Sequence, residues 1–139
     1  MNITNENNSK IKSFTDLLIW QEGHKLAVLI YQTTRKFPRE EMYSLSDQMR
    51  RAAVSVTSNI AEGFGRQGYK EKVQFYYISH GSLTELKNQL LIAKDVGYLI
   101  SNDFEKIMEQ ANKTHAFLIG FIKKSKTFII NKSVNPLIR

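Results

Sequence analysis

Apolar residues recur at spacings of three and four along almost the whole chain, and only two prolines interrupt 139 residues, at positions 38 and 136. That period is the signature of amphipathic helices, each burying one stripe against its neighbours. Leu17, Trp20, His24, Ala27 and Tyr31 form the first row, widened by Ile19, Leu26 and Ile30, and predict a helix from near Phe14 to Lys36. Pro38 ends it, because the residue before a proline is pushed out of the helical region. Ser44 or Ser46 caps a second helix reaching about Glu62, with Leu45, Met49, Ala52, Val56 and Ile60 inward. Gly63 is expected to close it in a left-handed cap. A third helix runs from about Gly68 to Gly97 on Tyr76, Leu83, Leu86, Leu90 and Ala93. The fourth opens at Asn102 with Glu105 as capping-box partner, and turns Phe104, Met108, Ala111, Leu118 and Ile122 inward. Alternation of period two appears only briefly, around Thr127 to Ile130. Short joints make consecutive helices antiparallel neighbours. The expected fold is all-α: an antiparallel up-down-up-down four-helix bundle over residues 13–124, a disordered polar N-terminus over 1–12 and a basic tail over 125–139.

Several function classes are excluded at this stage. A chain of this length forms one domain that buries roughly two-thirds of its unfolded surface. It contains no cysteine, so disulfides and thiolate zinc sites are absent. The start of the sequence has no apolar leader, and the longest apolar run is six residues, Leu26 to Tyr31. That is far short of a membrane span, and the expected location is the cytoplasm. Gly63, Gly65 and Gly68 spell the dinucleotide fingerprint G-x-G-x-x-G, but after a helix where the fingerprint needs a strand. They are read as a cap and a tight turn.

Three histidines interrupt apolar rows: His24, His80 and His115. At a rise of about 1.5 Å per residue, His24 and His115 fall on one level and His80 several residues lower. Gln21, Tyr77 and Asn112 stand three residues before them, so the Glu-x-x-His pairs of di-iron bundles are missing. The histidines are read as hydrogen-bonded core groups, with no metal, no cofactor and no catalytic residue. No activated nucleophile is evident either, and the chain is read as non-enzymatic.

Charge is the feature that points outward. The net charge is +7, yet residues 1–112 are nearly balanced, while residues 113–139 carry six basic groups and no acid. Folding the helices back and forth gathers Lys10, Lys12, Arg66, Lys70, Lys72, Lys123, Lys124 and Lys126 at one end, with Lys132 beyond. Such a cluster suits phosphate groups, and Phe64 and Tyr69 nearby could stack on bases. A second polar feature is a stripe on the second helix: Gln48, Arg51, Ser55, Asn59 and Glu62. It is either a partner-binding face or a structural network completed by Ser82 and Glu85, and the structural reading is preferred. Ala52, Ala53, Ser55, Gly81 and Ser82 would let the second and third helices approach closely.

The segment from Phe14 to Arg66 resembles a known family. FPREEMYSLSDQMRRAAVSVTSNIAEGFGR is its most specific part, followed by GSLTEL and GYL. It is similar to the four-helix-bundle proteins encoded in intervening sequences of large-subunit ribosomal RNA genes, over roughly residues 13–122. The accessory protein of diversity-generating retroelements is similar in fold. The resemblance implies a homo-oligomer, a ring of five copies, and nucleic acid as partner, RNA before DNA. A reverse transcriptase is a further implied partner. The function expected from residues and resemblance together is a non-enzymatic nucleic-acid adaptor or chaperone. The alternative is a protein–protein scaffold without nucleic-acid binding.

Overall fold

The computed structural model describes the backbone of residues 11–138 and the side chains of residues 11–129. Lys10 and most of the polar N-terminus therefore lie outside the described residues. Four helices carry the fold: α1 (Leu18–Thr34), α2 (Leu45–Phe64), α3 (Tyr69–Asp95) and α4 (Ser101–Ile138). No strand occurs among the described residues, and Thr127 to Ile130 are helical. Both α1 and α3 pack against α2 and α4, while the backbones of the diagonal pairs stay apart among the described residues. The core fills the space they enclose with Leu26, Ile30, Met49, Val56, Ile60, Tyr76, Leu83, Leu86, Leu90, Ile107 and Leu118.

The helix ends depart from the sequence reading for identifiable reasons. Ser13 and Asp16 cap each other around a separate turn, Phe14–Asp16. Leu17 is then extended and buried, so α1 starts at Leu18 rather than near Phe14. α1 stops at Thr34, whose hydroxyl donates to the Ile30 carbonyl at 2.7 Å and accepts from Arg50 Nε at 2.8 Å. Ser44 makes no capping bond and Ser46 is buried. The cap of α2 comes instead from Glu41, whose Oε1 accepts from Leu45 N–H at 3.2 Å while its Oε2 accepts from Tyr98 O–H at 2.8 Å. One carboxylate thus ties the α1–α2 link to the α3–α4 link. α4 begins at Ser101, which puts Asn102 inside its first turn and Glu105 just beyond it, so the two do not form a capping box. It continues past residue 124: Ser125 is buried, and the Phe128 ring lies 4.7 Å from Tyr69.

The inward row of α1 is also shifted. His24 and Tyr31 are exposed and Trp20 is half-buried, with Trp20 stacked on His24 at 4.7 Å. Glu22 and Gly23 point inward in their place, because a glycine at position 23 lets α2 close in at Thr57.

Gly63 does not form a left-handed cap. It is helical and buried, and a Cβ there would sit 2.6 Å from the Tyr76 ring and 3.0 Å from the Lys72 carbonyl oxygen. Its role is to let α3 lie against α2. The left-handed residue is Gly97, at φ 87°, where Tyr98 N–H reaches the Ala93 carbonyl and Gly97 N–H that of Lys94. These are the two bonds of a Schellman motif. Gly63→Ala is expected to cost about 1–3 kcal/mol by overpacking. Gly97→Ala is expected to cost about 1–2 kcal/mol through its backbone conformation. Gly68→Ala, which meets nothing within 4 Å, should stay within about 0.5 kcal/mol; urea unfolding of the three variants is the check.

Candidate nucleic-acid interface

The C-terminal end of α2, the first turns of α3 and residues 121–128 of α4 come together at one end. Lys72 meets the last carbonyls of α2, Tyr69 meets Phe128, and Lys126 Nζ donates to the Tyr77 hydroxyl at 3.0 Å. The basic residues gathered there have unequal roles. Lys72 donates to the Phe64 carbonyl at 2.6 Å and approaches that of Gly63 at 3.5 Å, so it caps α2 in place of water. Burial holds its ammonium below the usual lysine range. Lys72 thus serves the fold, its ammonium already engaged by the carbonyls that end α2.

Arg66 is shared between Glu62, at 3.2 Å, and the face of Phe75. Lys126 is held at the tip of Tyr77 by its bond to the hydroxyl, 5.6 Å from the ring centroid. Lys12, Lys70, Lys123 and Lys124 are exposed, and their ammonium groups make no hydrogen bond or ion pair among the described residues. Lys132 lies beyond the described side chains. Phe64 and Tyr69 are half-buried and engaged, Phe64 against the core and Tyr69 against Phe128, so neither is a free stacking platform. Tyr77, whose hydroxyl accepts from Lys126, is 49% exposed. Between α2 and the turn that follows lies a shallow open depression lined by Ser58, Ala61, Glu62, Gly65 and Arg66.

The α2 polar stripe divides in two. Ser55 and Ser82 hydroxyls are 2.7 Å apart across α2 and α3, and Asn59 donates to both the carbonyl and hydroxyl oxygens of Ser55. Ser79 adds a bond to the Val56 carbonyl at 2.7 Å. This half is a register-fixing network, helped by buried Ala52 and Ala53, whereas Gly81 is exposed and plays no part in the approach. The other half does not enter the bundle. Gln48 is exposed, and Arg51, 79% exposed at its side chain, pairs with Asp47 on its own helix. Glu85 bonds Gln89 on α3 and not the stripe.

The histidines are placed differently from the sequence reading. His24 is on the surface, and His80 and His115 meet at one level, Nε2 to Nε2 at 2.9 Å. Helix rise counted from the ends missed this, because the helices start and stop at different heights. Among the described residues no cluster of three or more metal-ligating side chains occurs.

The sequence reading passed over Glu22, one charged residue in a charged chain. Its carboxylate is 5% exposed and sits between α1 and α4. Gln110 Nε2 donates to it at 3.0 Å, Lys25 at 3.0 Å, and Lys113 lies at 3.5 Å. Gln110 and the Thr114 hydroxyl also reach the Glu22 backbone carbonyl. Burial pushes this carboxyl upward, but the bonds from Gln110 and Lys25 and the charges of Lys113 and Lys25 outweigh it and hold it below the usual range. The one available signal was position, since Glu22 lies between Ile19 and Leu26 on the inward side of α1.

With this geometry in hand, the chain can be set beside known proteins. Residues 15–120 match the family of 23S rRNA-intervening sequence proteins. The chain belongs to that family. No curated protein matches it. A solved structure of a protein with unknown function from the S23 ribosomal protein family, from Bacteroides thetaiotaomicron VPI-5482, shares the fold with a TM-score of 0.71. The two are 20% identical, and the alignment covers 76% of this chain and 96% of the other.

Glu22→Ala should cost about 2–3 kcal/mol, the value of charge-assisted buried bonds, and Lys113→Ala less than about 1 kcal/mol, because its ammonium is half in water. The Glu22 contribution is present above the unfolded carboxyl range and is lost as pH falls through the lower folded one. Unfolding of wild type and Glu22→Gln between pH 6 and 3 should therefore converge on acidification. Arg51→Ala should change stability by less than about 0.5 kcal/mol, since its one ion pair is on the surface.

Proposed function

We propose that this chain is a non-enzymatic adaptor or chaperone that binds single-stranded nucleic acid, RNA before DNA, at the basic end of its bundle. The observation that carries the reading is the pair Lys123–Lys124. Both are exposed and unpaired among the described residues, on a helix whose last acid is Glu109. Beside them Tyr77 offers an exposed aromatic ring whose hydroxyl accepts from Lys126. Adjacent free ammonium groups suit a phosphate backbone, and an exposed ring suits an unpaired base of any identity. No group here is arranged to read base edges in a duplex groove, so the binding is sequence-tolerant.

The helices in this reading alternate up and down. Contact pairs between neighbours support it, because residue numbers fall on one helix as they rise on the next: Gly23 with Thr57 and Thr34 with Arg50, then Ser55 with Ser82 and Gly63 with Lys72. The acting unit is a cyclic homo-oligomer, a ring of five copies. The resemblance noted from sequence supports that number, and exposed Leu91, Ile92, Ile78 and Ile119 supply apolar surface for subunit contacts. Ile19, Leu26 and Ile30, which widen the apolar face of α1, are buried inside the subunit and take no part in such contacts. A ring repeats the same lysines around one face and gains avidity for a long polyanion.

Titration of labelled single-stranded RNA at several salt concentrations tests the reading. Intact protein should bind with a steep salt dependence. The double charge reversal Lys123→Glu, Lys124→Glu should weaken binding at least about tenfold and flatten the log–log slope by about 0.7 per lost phosphate contact. A substitution is preferable to truncation after Ile122, which would also remove buried Ser125 and the Phe128–Tyr69 contact. Absence of binding by intact protein at low salt would defeat the proposal in favour of the scaffold reading. Light scattering reads the assembly, and a mass near the 16.1 kDa of one chain would defeat the ring.

A further inference from the structure

The α3–α4 seam holds a chain of nitrogen atoms that the proposed interface does not use. Lys87 Nζ lies 2.6 Å from His115 Nδ1, and His115 Nε2 lies 2.9 Å from His80 Nε2. All three side chains are half-buried. The charged and titratable groups acting on His115 are Lys87 and His80, both from α3. The other elements hold their charges elsewhere. On α1, Glu22 faces Gln110, Lys25 and Lys113. On α2, Asp47 is paired with Arg51, Glu62 with Arg66, and Arg50 reaches Thr34. No carboxylate contacts the chain among the described residues.

Proton positions follow from the inventory of donors. A charged ammonium only donates, so His115 Nδ1 must be the acceptor and its proton must sit on Nε2. That N–H points at His80 Nε2, which must then be unprotonated, leaving the His80 proton on Nδ1. With Lys87 charged, this is the one arrangement that satisfies every contact, and it requires both rings to be neutral. Charging His80 sets two N–H groups against each other at 2.9 Å. Charging His115 sets its Nδ1–H against the ammonium at 2.6 Å. A metal between the rings fares no better, since a lone pair on His115 Nε2 would move its proton to Nδ1, facing a donor.

We propose that Lys87, His115 and His80 form a proton-released latch between α3 and α4, closed while both imidazoles are neutral and opened when acid charges either ring. Burial, with Lys87 and His80 alongside, holds His115 below the usual histidine range. The unfolded chain therefore takes up this proton first as pH falls, and the latch contributes stability above the ordinary imidazole range that is lost on acidification. On the same seam lies the Lys126–Tyr77 contact, so release loosens the part of α4 that carries Lys123 and Lys124. The latch does not depend on the nucleic-acid reading.

Nitrogen NMR of the histidine rings and hydrogen exchange on the full chain test it, at pH 7.5 and 5.5, on wild type and on His80→Gln, His115→Gln. At pH 7.5 His115 should show the Nε2–H tautomer. Between the two pH values, wild-type protection of α3 and α4 amides, corrected for intrinsic rates, should fall about fivefold or more relative to α1 and α2. In the double variant the same ratio should move by less than about twofold. Ring spectra of wild type decide the matter even if the double variant is poorly folded. A Nδ1–H tautomer for His115, equal pH responses of wild type and a folded double variant, or stoichiometric Zn2+ shifting both rings would each overturn the proposal.

Discussion

The close approach of α2 and α3 is the contact on which the rest of the molecule depends. It needs a residue without a side chain at Gly63, where Tyr76 lies, and small hydroxyl residues at Ser55, Ser79 and Ser82, where the helices exchange hydrogen bonds. Apolar packing alone is non-directional and would tolerate sliding. The hydroxyl bonds have one register, and a slip would strand buried polar groups. Once α3 is held this way, Lys72 falls on the open carbonyls of α2, and the opposite flank of α3 presents His80, Lys87 and Tyr77 to α4.

The two seams of α4 use opposite electrostatic devices. Against α1, the buried Glu22 carboxylate is surrounded by donors and stays ionised, so charge is what holds that contact. Against α3, two imidazoles and an ammonium meet without an acid, so neutrality is what holds that one. Acidification acts on the α3 seam in the imidazole range and on the α1 seam only in the carboxylate range. The helix that carries the unpaired lysines is thus held on two sides by contacts with separate pH ranges.

Free charge and structural charge are mixed at the basic end. Lys72, Arg66 and Lys126 look identical to Lys123 and Lys124 in composition, yet the first three already have partners in the fold. Only groups without partners can release counterions to a polyanion at full value. The proposed interface is therefore narrower than a count of basic residues suggests, with its centre on α4 beside Tyr77.

The period of apolar residues determined the helical class, the number of helices and most of the core, because a stripe at spacing three and four can be buried in few ways. Membership of the family was legible in the run from Phe37 to Arg66. Tertiary structure alone decided the rest. Which face of α1 turned inward depended on a glycine admitting Thr57, and Glu22 went inside with it. The meeting of His80 with His115, 35 residues apart, depended on the α3–α4 link, turned by Gly97 and tied through Tyr98 to Glu41. Spacing within a helix is a local property, written in the order of residues. Which side chains meet across a seam is a sum over every cap and close contact that sets the height and rotation of two helices, and that sum exists only in the folded chain.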